Sequence, residues 1–286
     1  MFNWQRNLKF RVQSYPKLAA WKSKALPYLK KEEGWNNLFW QIIRTYEKSA
    51  RDSARAVNVF SRGRIRLSAI VTPSSFLLLS HGSKEAVHAL SDYIKRKQWS
   101  LAGVSGPKDV VGQFLSLLNQ KEGKKPFLSQ REFTLFQTKQ RFPLDSLSAY
   151  QIYQVGDAEW PRARIWAQQF AAEADPPMNL AAITQMAKQM HTSQNLFILK
   201  NRENTTCGMA GFGRSTGRYQ VINMVYVPPA LRRQGMAKAL IQRMMVQSRK
   251  SGYSACLLFS EWRRKRNLYD TMGCKKLGQF VEYDLV

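Results

Sequence analysis

Between residues 220 and 250 the chain passes from strand-like to helical patterning across one proline turn, and this switch constrains the fold more than any other feature. Val225-Tyr226-Val227 runs into Pro228-Pro229, and proline ends a ladder because it has no N–H to give. A helix then opens from Arg232-Arg233-Gln234-Gly235-Met236-Ala237-Lys238. The first N–H groups of a helix have no intrahelical acceptor, and the helix dipole adds partial positive charge beside them. An anion fits such a corner. Gly235 lets it approach the backbone, Ala237 keeps the next turn small, and Arg232, Arg233 and Lys238 add full charges. The set suits a pyrophosphate.

The rest of the pattern is mixed α/β. In the first half, apolar side chains recur at helical spacing from residue 33 to 43, and strand-like runs follow at 56–60, 65–71 and 75–79. A helix is expected at 83–97. Val104-Ser105-Gly106-Pro107 reads as a break, followed by a helix from 108 to about 119 and a strand at 132–137. The polar stretch 140–146, with Pro143, reads as a linker. The second half reads strand 149–155, helices 160–174 and 179–190, and strands 196–199, 206–213 and 220–227. After the helix at 234–250 come a strand at 255–259, a short helix near 267–272 and a last strand at 280–285. The expected domains are therefore 1–142 and 148–286.

Composition sets the boundary conditions. The chain has 286 residues, enough for two domains of ordinary size. Lys and Arg number 45 against 19 Asp and Glu, a net charge of +26 that points toward anionic partners. Residues 1–31 hold eight basic and no acidic side chains, interleaved with Trp4, Phe10, Tyr15 and Trp21. They read as a basic, aromatic arm, either a solvated helical face or a contact for nucleic acid or an anionic surface. Three widely spaced cysteines, Cys207, Cys256 and Cys274, fit neither a disulfide framework nor a metal pair, and the three histidines lie apart from them. No metal is expected. No apolar run approaches the roughly 20 residues of a membrane span. The start shows no secretory h-region, so a cytoplasmic location is expected.

Arg232 to Ala237, placed after a strand and opening a helix, resembles the Q/R-x-x-G-x-G/A signature of the GNAT superfamily of acetyl-CoA-dependent acyltransferases. Ser254-Ala255-Cys256-Leu257-Leu258-Phe259 is similar to that superfamily's fifth strand, and Leu268-Tyr269-Asp270-Thr271-Met272-Gly273-Cys274 to its closing L-Y-x-x-x-G-F/Y element. The resemblance covers the second half. More loosely, the whole chain resembles bacterial tandem proteins of this kind whose N-terminal half is degenerate. Residues 160–174, Val225-Tyr226-Val227-Pro228-Pro229 and the ending 278–283 carry this second likeness, and in the N-terminal half Asn37-Leu38, Thr72-Pro73 through Leu77-Leu78-Leu79-Ser80, and residues 104–107 do. The implied fold is α/β (α+β), two GNAT-like domains in tandem, each a mixed, mostly antiparallel sheet flanked by helices.

The resemblance also implies a site and a reaction. Main-chain groups of Val225, Tyr226 and Val227 would hold the acetyl and pantetheine parts of acetyl-CoA, and the amides from Arg233 through Gln234, Gly235, Met236 and Ala237 to Lys238 its pyrophosphate. An amine would attack the thioester directly, with Tyr269 as the acid that protonates the departing sulfur. Glu261, at a strand end, and Glu173, on the first helical pair, are both candidates for the base, and a base acting through a water fits equally well. The superfamily's usual Asn-Pro-x-Ser-Asn is replaced here by Ser260-Glu261-Trp262-Arg263-Arg264-Lys265-Arg266-Asn267, whose four consecutive cations could grip the 3′-phosphate. In the first half the turn Ser80-His81-Gly82-Ser83-Lys84-Glu85 lacks the spacing, so that half is read as non-catalytic. The acceptor is expected to be an amine on a small molecule, peptide or protein. Two other readings stay open, a basic nucleic-acid or ribosome-binding module and a coenzyme A-binding pseudoenzyme.

Overall fold

The structure is a computed structural model that describes residues 10–48, 53–118, 127–139, 149–261 and 267–285. The chain forms two compact units, Met1–Phe133 with Gly278–Val286, and Thr134–Leu277.

In the first unit, β1 (Arg11–Lys17), α1 (Leu18–Leu29) and α2 (Asn37–Lys48) precede β2 (Ser53–Ser61), β3 (Arg64–Val71) and β4 (Phe76–Leu79). Then come α3 (Lys84–Arg96), β5 (Gly103–Pro107) and α4 (Lys108–Leu118). The next strand is β6 (Phe127–Gln137), and the second unit repeats the order with β7 (Tyr150–Gln154), α5 (Trp160–Ala172), α6 (Leu180–Thr192) and β8 (Leu196–Asn201). It continues through β9 (Thr206–Ser215), β10 (Tyr219–Tyr226), α7 (Met236–Lys250), β11 (Ala255–Ser260), α8 (Leu268–Thr271) and β12 (Lys275–Leu285).

The sheet of the first unit runs β1-β2-β3-β4-β5-β12 and that of the second β7-β8-β9-β10-β11-β6. Among the described residues of these sheets, only β4 with β5 and β10 with β11 pair in parallel; their other neighbours are antiparallel. Each half of the chain thus has one topology, two helices after its first strand and a parallel pair bridged by a helix.

The units do not divide the sequence at a single linker near 142–148. Phe280 to Asp284 of β12 pair with Pro107 to Gly103 of β5, and Val281 joins the core of the first unit. Thr134 to Gln137 of β6 pair with Ser260 to Leu257 of β11, and Phe136 joins the core of the second. Hydrogen bonding of the last strand, which no local pattern announces, decides where the boundary falls. The expected linker, 140–146, lies outside the described residues.

Two other expectations change. Beyond residues 1–9, which are not described, the basic arm is β1 and α1, and its aromatics are core: Trp21 is fully buried and stacks on Phe39 at 6.0 Å, while Tyr15 is also buried. Alternation of charge with aromatic rings marks two faces of structured elements, not a tail. Residues 104–107, read as a break, lie in β5 and are buried throughout. Gly and Pro fit there because Gly106 comes so close to β4 that a Cβ would stand 2.9 Å from the Leu79 carbonyl oxygen.

The local signals worked elsewhere. Ser83 caps α3 by accepting from the Ala86 N–H. The β2–β3 turn has positive φ at Arg62 and Gly63, the geometry that matches strand twist in a two-residue hairpin. In the second unit two apolar layers cover the sheet, one carried by α7 with Leu240 and Met244, the other by α5 and α6 with Ala163 and Ala187. None of the helices among the described residues is long and apolar enough to cross a membrane.

Candidate active site

The parallel ladder between β10 and β11 runs from Tyr219 and Ala255 to Ile222 and Leu258 and stops there. Both strands continue, β10 to Tyr226 and β11 to Ser260, so their ends part. A bulge accompanies the parting: β10 uses three steps from Asn223 to Tyr226 where β9 uses two from Gly211 to Met209, and Met224 has φ +50°. The Val225, Tyr226 and Val227 main chain lies along this opening.

After Pro228 a single 3-10 turn, Pro229–Leu231, leads to Arg233 at φ +63° and Gly235 at φ +82°. Gly235 is the N-cap of α7, no side chain caps it, and the first turn holds no acidic residue. The first intrahelical bond at this end is Ala239 N–H to the Gly235 carbonyl. Among the described residues, no carbonyl accepts from the N–H groups of Arg233, Gln234, Gly235, Met236, Ala237 or Lys238. A Cβ on Gly235 would meet nothing within 4 Å, so the space beside this residue is open. Arg233, Gln234 and Lys238 are exposed around it. Residues at this corner therefore fit a diphosphate: free donors, positive dipole, flanking cations and room.

Arg232 behaves differently from its neighbours. Its Nε donates to the Val227 carbonyl at 2.8 Å and its Nη2 to Glu173 Oε2 at 2.6 Å, while the guanidinium carbon lies 5.6 Å from the Tyr226 ring centroid. The expected phosphate ligand is thus a brace between the loop and the end of α5. Tyr226 completes the set, its hydroxyl donating to Gln169 at 2.9 Å and lying 3.3 Å from Glu173 Oε1. Burial and then the Glu173 charge raise its pKa. Sequence reasoning missed this brace, since arginine in a basic run carries no mark of its partner. A bulge at methionine gives no signal either.

Tyr269 sits on α8, whose start is fixed by a capping box between Asn267 and Asp270. Its ring packs edge-on to Phe136 at 5.4 Å, and burial of the hydroxyl, with Cys274 adding, holds its pKa well above the ordinary phenol value. It stays protonated across the physiological range. Glu261 follows β11 directly and is half-buried. The basic run 263–266 lies outside the described residues. Among those described, no group of three or more His, Cys, Asp or Glu gathers as a metal cluster would.

Among its described residues, the first unit lacks an equivalent corner. The Ser83 side chain occupies the start of α3, Glu85 stands in its first turn, and a Cβ on Gly82 would meet Leu67 at 2.6 Å. β4 and β5 are paired from Phe76 and Gly103 to Leu78 and Ser105, within one residue of the end of β4.

In the second half of the chain a splayed parallel pair thus leads into an open, uncapped helix start. Residues 168–284 match the family described as acetyltransferase (GNAT) domain, so this half carries a GNAT domain. The chain is similar to a GCN5-related N-acetyltransferase from Sphaerobacter thermophilus, with 15% identity, TM-score 0.59, and coverage of 96% of this chain and 95% of that one. A GNAT-family acetyltransferase from Colwellia psychrerythraea aligns over 96% of this chain and 100% of its own, with 10% identity and TM-score 0.55. A tandem GNAT protein from the clavulanic acid biosynthesis pathway gives 10% identity, TM-score 0.54, and coverage of 96% and 97%. The architecture is that of two GNAT-like units in tandem. No curated protein matches the chain.

Proposed function

We propose that the second unit transfers an acetyl group from acetyl-CoA to an amine. One observation carries this reading: the unpaired amides of residues 233–238 open beside the parted ends of β10 and β11. When bound, acetyl-CoA supplies an activated thioester, so the protein needs to orient the two reactants and manage protons and charge.

The chain's own groups divide that work. Amides of Arg233 to Lys238 hold the diphosphate, with Arg233 and Lys238 adding charge. The main chain of Val225 to Val227 aligns the thioester arm as an added strand would, and its N–H groups are donors for negative charge on the acyl oxygen. Arg232, tied to Glu173 and Val227, fixes the loop that carries the amides. Tyr269, kept neutral by burial, gives its proton to the departing sulfur. Glu261 is the proposed base at the amine. The acceptor is an amine-bearing small molecule, peptide or protein, and the proposed setting is the cytoplasm.

The test is mass spectrometry of the full chain with acetyl-CoA and a mixed panel of small amines and peptides. Gain of one acetyl group by a panel member, lost in Gly235→Glu, supports the reading. Saturable coenzyme A binding without any acetylated product would make the unit a binding module instead.

A further inference from the structure

The end of the β2–β3 hairpin in the first unit concentrates positive charge that the fold does not neutralise. We propose that this end grips the phosphate backbone of a duplex nucleic acid. The proposal does not rest on the acetyl-transfer reading, because every residue it invokes belongs to the first unit.

Strand register gathers the charges. Ser61 pairs with Arg64, so the turn is Arg62-Gly63 alone, at φ +50° and +70°. Asn-Gly is the favoured pair for such a turn, and here a long cation takes the first place. Arg64 and Arg66 follow on β3, both exposed, on either side of the half-buried Ile65. β3 takes two steps from Ile65 to Leu67 where β2 takes one from Phe60 to Val59, and a bulge of this kind re-aims the side chain it carries. On β1, at the sheet edge, Arg11 pairs with Phe60, and its guanidinium carbon lies 5.8 Å from the Phe60 ring centroid. Four arginines thus gather toward one end of β1, β2 and β3.

The surrounding chain does not answer this charge. Residues 10–31 hold six basic and no acidic side chains, and residues 53–84 five basic and no acidic ones. Among the described residues, the side chains of Arg62, Arg64 and Arg66 make no salt bridge or hydrogen bond, and Arg11 donates to the neutral Gln13 at 3.3 Å. The Tyr28 hydroxyl lies 3.3 Å from the Arg66 carbonyl and brings in the turn Lys30–Glu32. Glu32 of that turn stands 3.9 Å from His81 Nε2.

Chemistry selects the partner. Guanidinium is planar, permanently charged and matched to paired phosphate oxygens. A membrane surface is also anionic, but docking there draws on apolar side chains that enter the lipid. The exposed large apolar residues are Leu128, Tyr153, Ile165, Leu180 and Met186, and none lies on β1, β2 or β3. A single strand needs open rings on which its bases stack, and Phe60 is only partly exposed and lies under Arg11. A duplex needs neither. A two-stranded ribbon fits a B-form major groove about 12 Å wide, where arginines on its end and flanks meet phosphates. The net charge of +26 draws such a polyanion in from a distance.

The test is fluorescence anisotropy of short labelled DNA and RNA duplexes, titrated with the full chain at several salt concentrations. Saturable binding to either duplex is expected. Arg62→Gln, Arg64→Gln and Arg66→Gln combined should weaken it about tenfold or more and reduce the slope of log affinity against log salt by about 2–3. The three corresponding changes to Lys should keep the unmodified slope, since Lys neutralises a phosphate as a point charge. Arg162→Gln, Arg164→Gln and Arg202→Gln combined, at three exposed arginines of the second unit, remove equal charge and should leave affinity within about twofold. Equal weakening by the two Gln variants would make binding a property of net charge and overturn the assignment. A single strand held as tightly as the duplex, phosphatidylserine vesicles held more tightly than either, or no saturable duplex binding by the unmodified chain would overturn it too.

Discussion

Arg232 Nη2 meets Glu173 Oε2 at 2.6 Å, joining the loop before α7 to the C-terminal end of α5. Both side chains are 42% exposed, so the pair contributes about 1 kcal/mol or less to stability. Its consequence is positional, because Arg232 also holds the Val227 carbonyl.

Glu173→Ala is therefore expected to leave the melting temperature nearly unchanged and to raise KM for acetyl-CoA several-fold, with kcat little altered. Arg232→Ala should act alike, and the double variant should be no worse than either single one. Steady-state kinetics checks this. A fall of about 100-fold in kcat at unchanged KM would instead make Glu173 the base.

Tyr269→Phe keeps the ring on Phe136 and removes a hydroxyl for which no hydrogen bond is seen among the described residues. Stability is expected to change by no more than about 0.5 kcal/mol. Coenzyme A binding should persist, while the acetylation rate drops at least about tenfold. Because the phenol's pKa is raised, no loss of rate traceable to Tyr269 is expected as pH rises toward the ordinary phenol value near 10.

Cys256 and Cys274 give stability a pH dependence. Burial raises both thiols from 9.0 to about 11. The unfolded chain then loses these protons at lower pH than the folded one, so their contribution is complete below about pH 9 and is lost as pH rises through about 11. Urea unfolding between about pH 8 and about pH 10.5 should show stability declining, with a shallower decline in Cys256→Ala.

Much of this architecture is legible in residues and their spacing. The strand, proline turn and glycine-opened helix at 225–240 announce themselves because each depends on local backbone chemistry. Ser83 and Asn267 work the same way as caps. What escapes is non-local: Arg232 reads as one cation among several until Glu173, 59 positions earlier, is brought beside it. Trp21 reads as part of a basic arm until Phe39 covers it. The sheet that β12 joins is likewise set by partners far away in sequence.

That last strand yields a prediction of its own. Val281 is fully buried in the core of the first unit, although it lies near the C-terminal end of the chain. Val281→Ala should cost about 1–3 kcal/mol, and Val281→Asp should unfold the first unit. Limited proteolysis would show new cuts between residues 53 and 118 first, before any in α7.

The central claim is that free amides at the start of α7 receive the cofactor's diphosphate. Amide NMR of the full chain during a coenzyme A titration tests it most directly. Saturable shifts at Gly235, Met236 and Ala237 are predicted. They should be retained in Gly235→Ala, which costs about 1–3 kcal/mol of backbone strain, and lost in Gly235→Glu, whose carboxylate would occupy the anion's place. Coenzyme A binding that leaves residues 233–238 unperturbed, or that survives Gly235→Glu intact, would contradict the account.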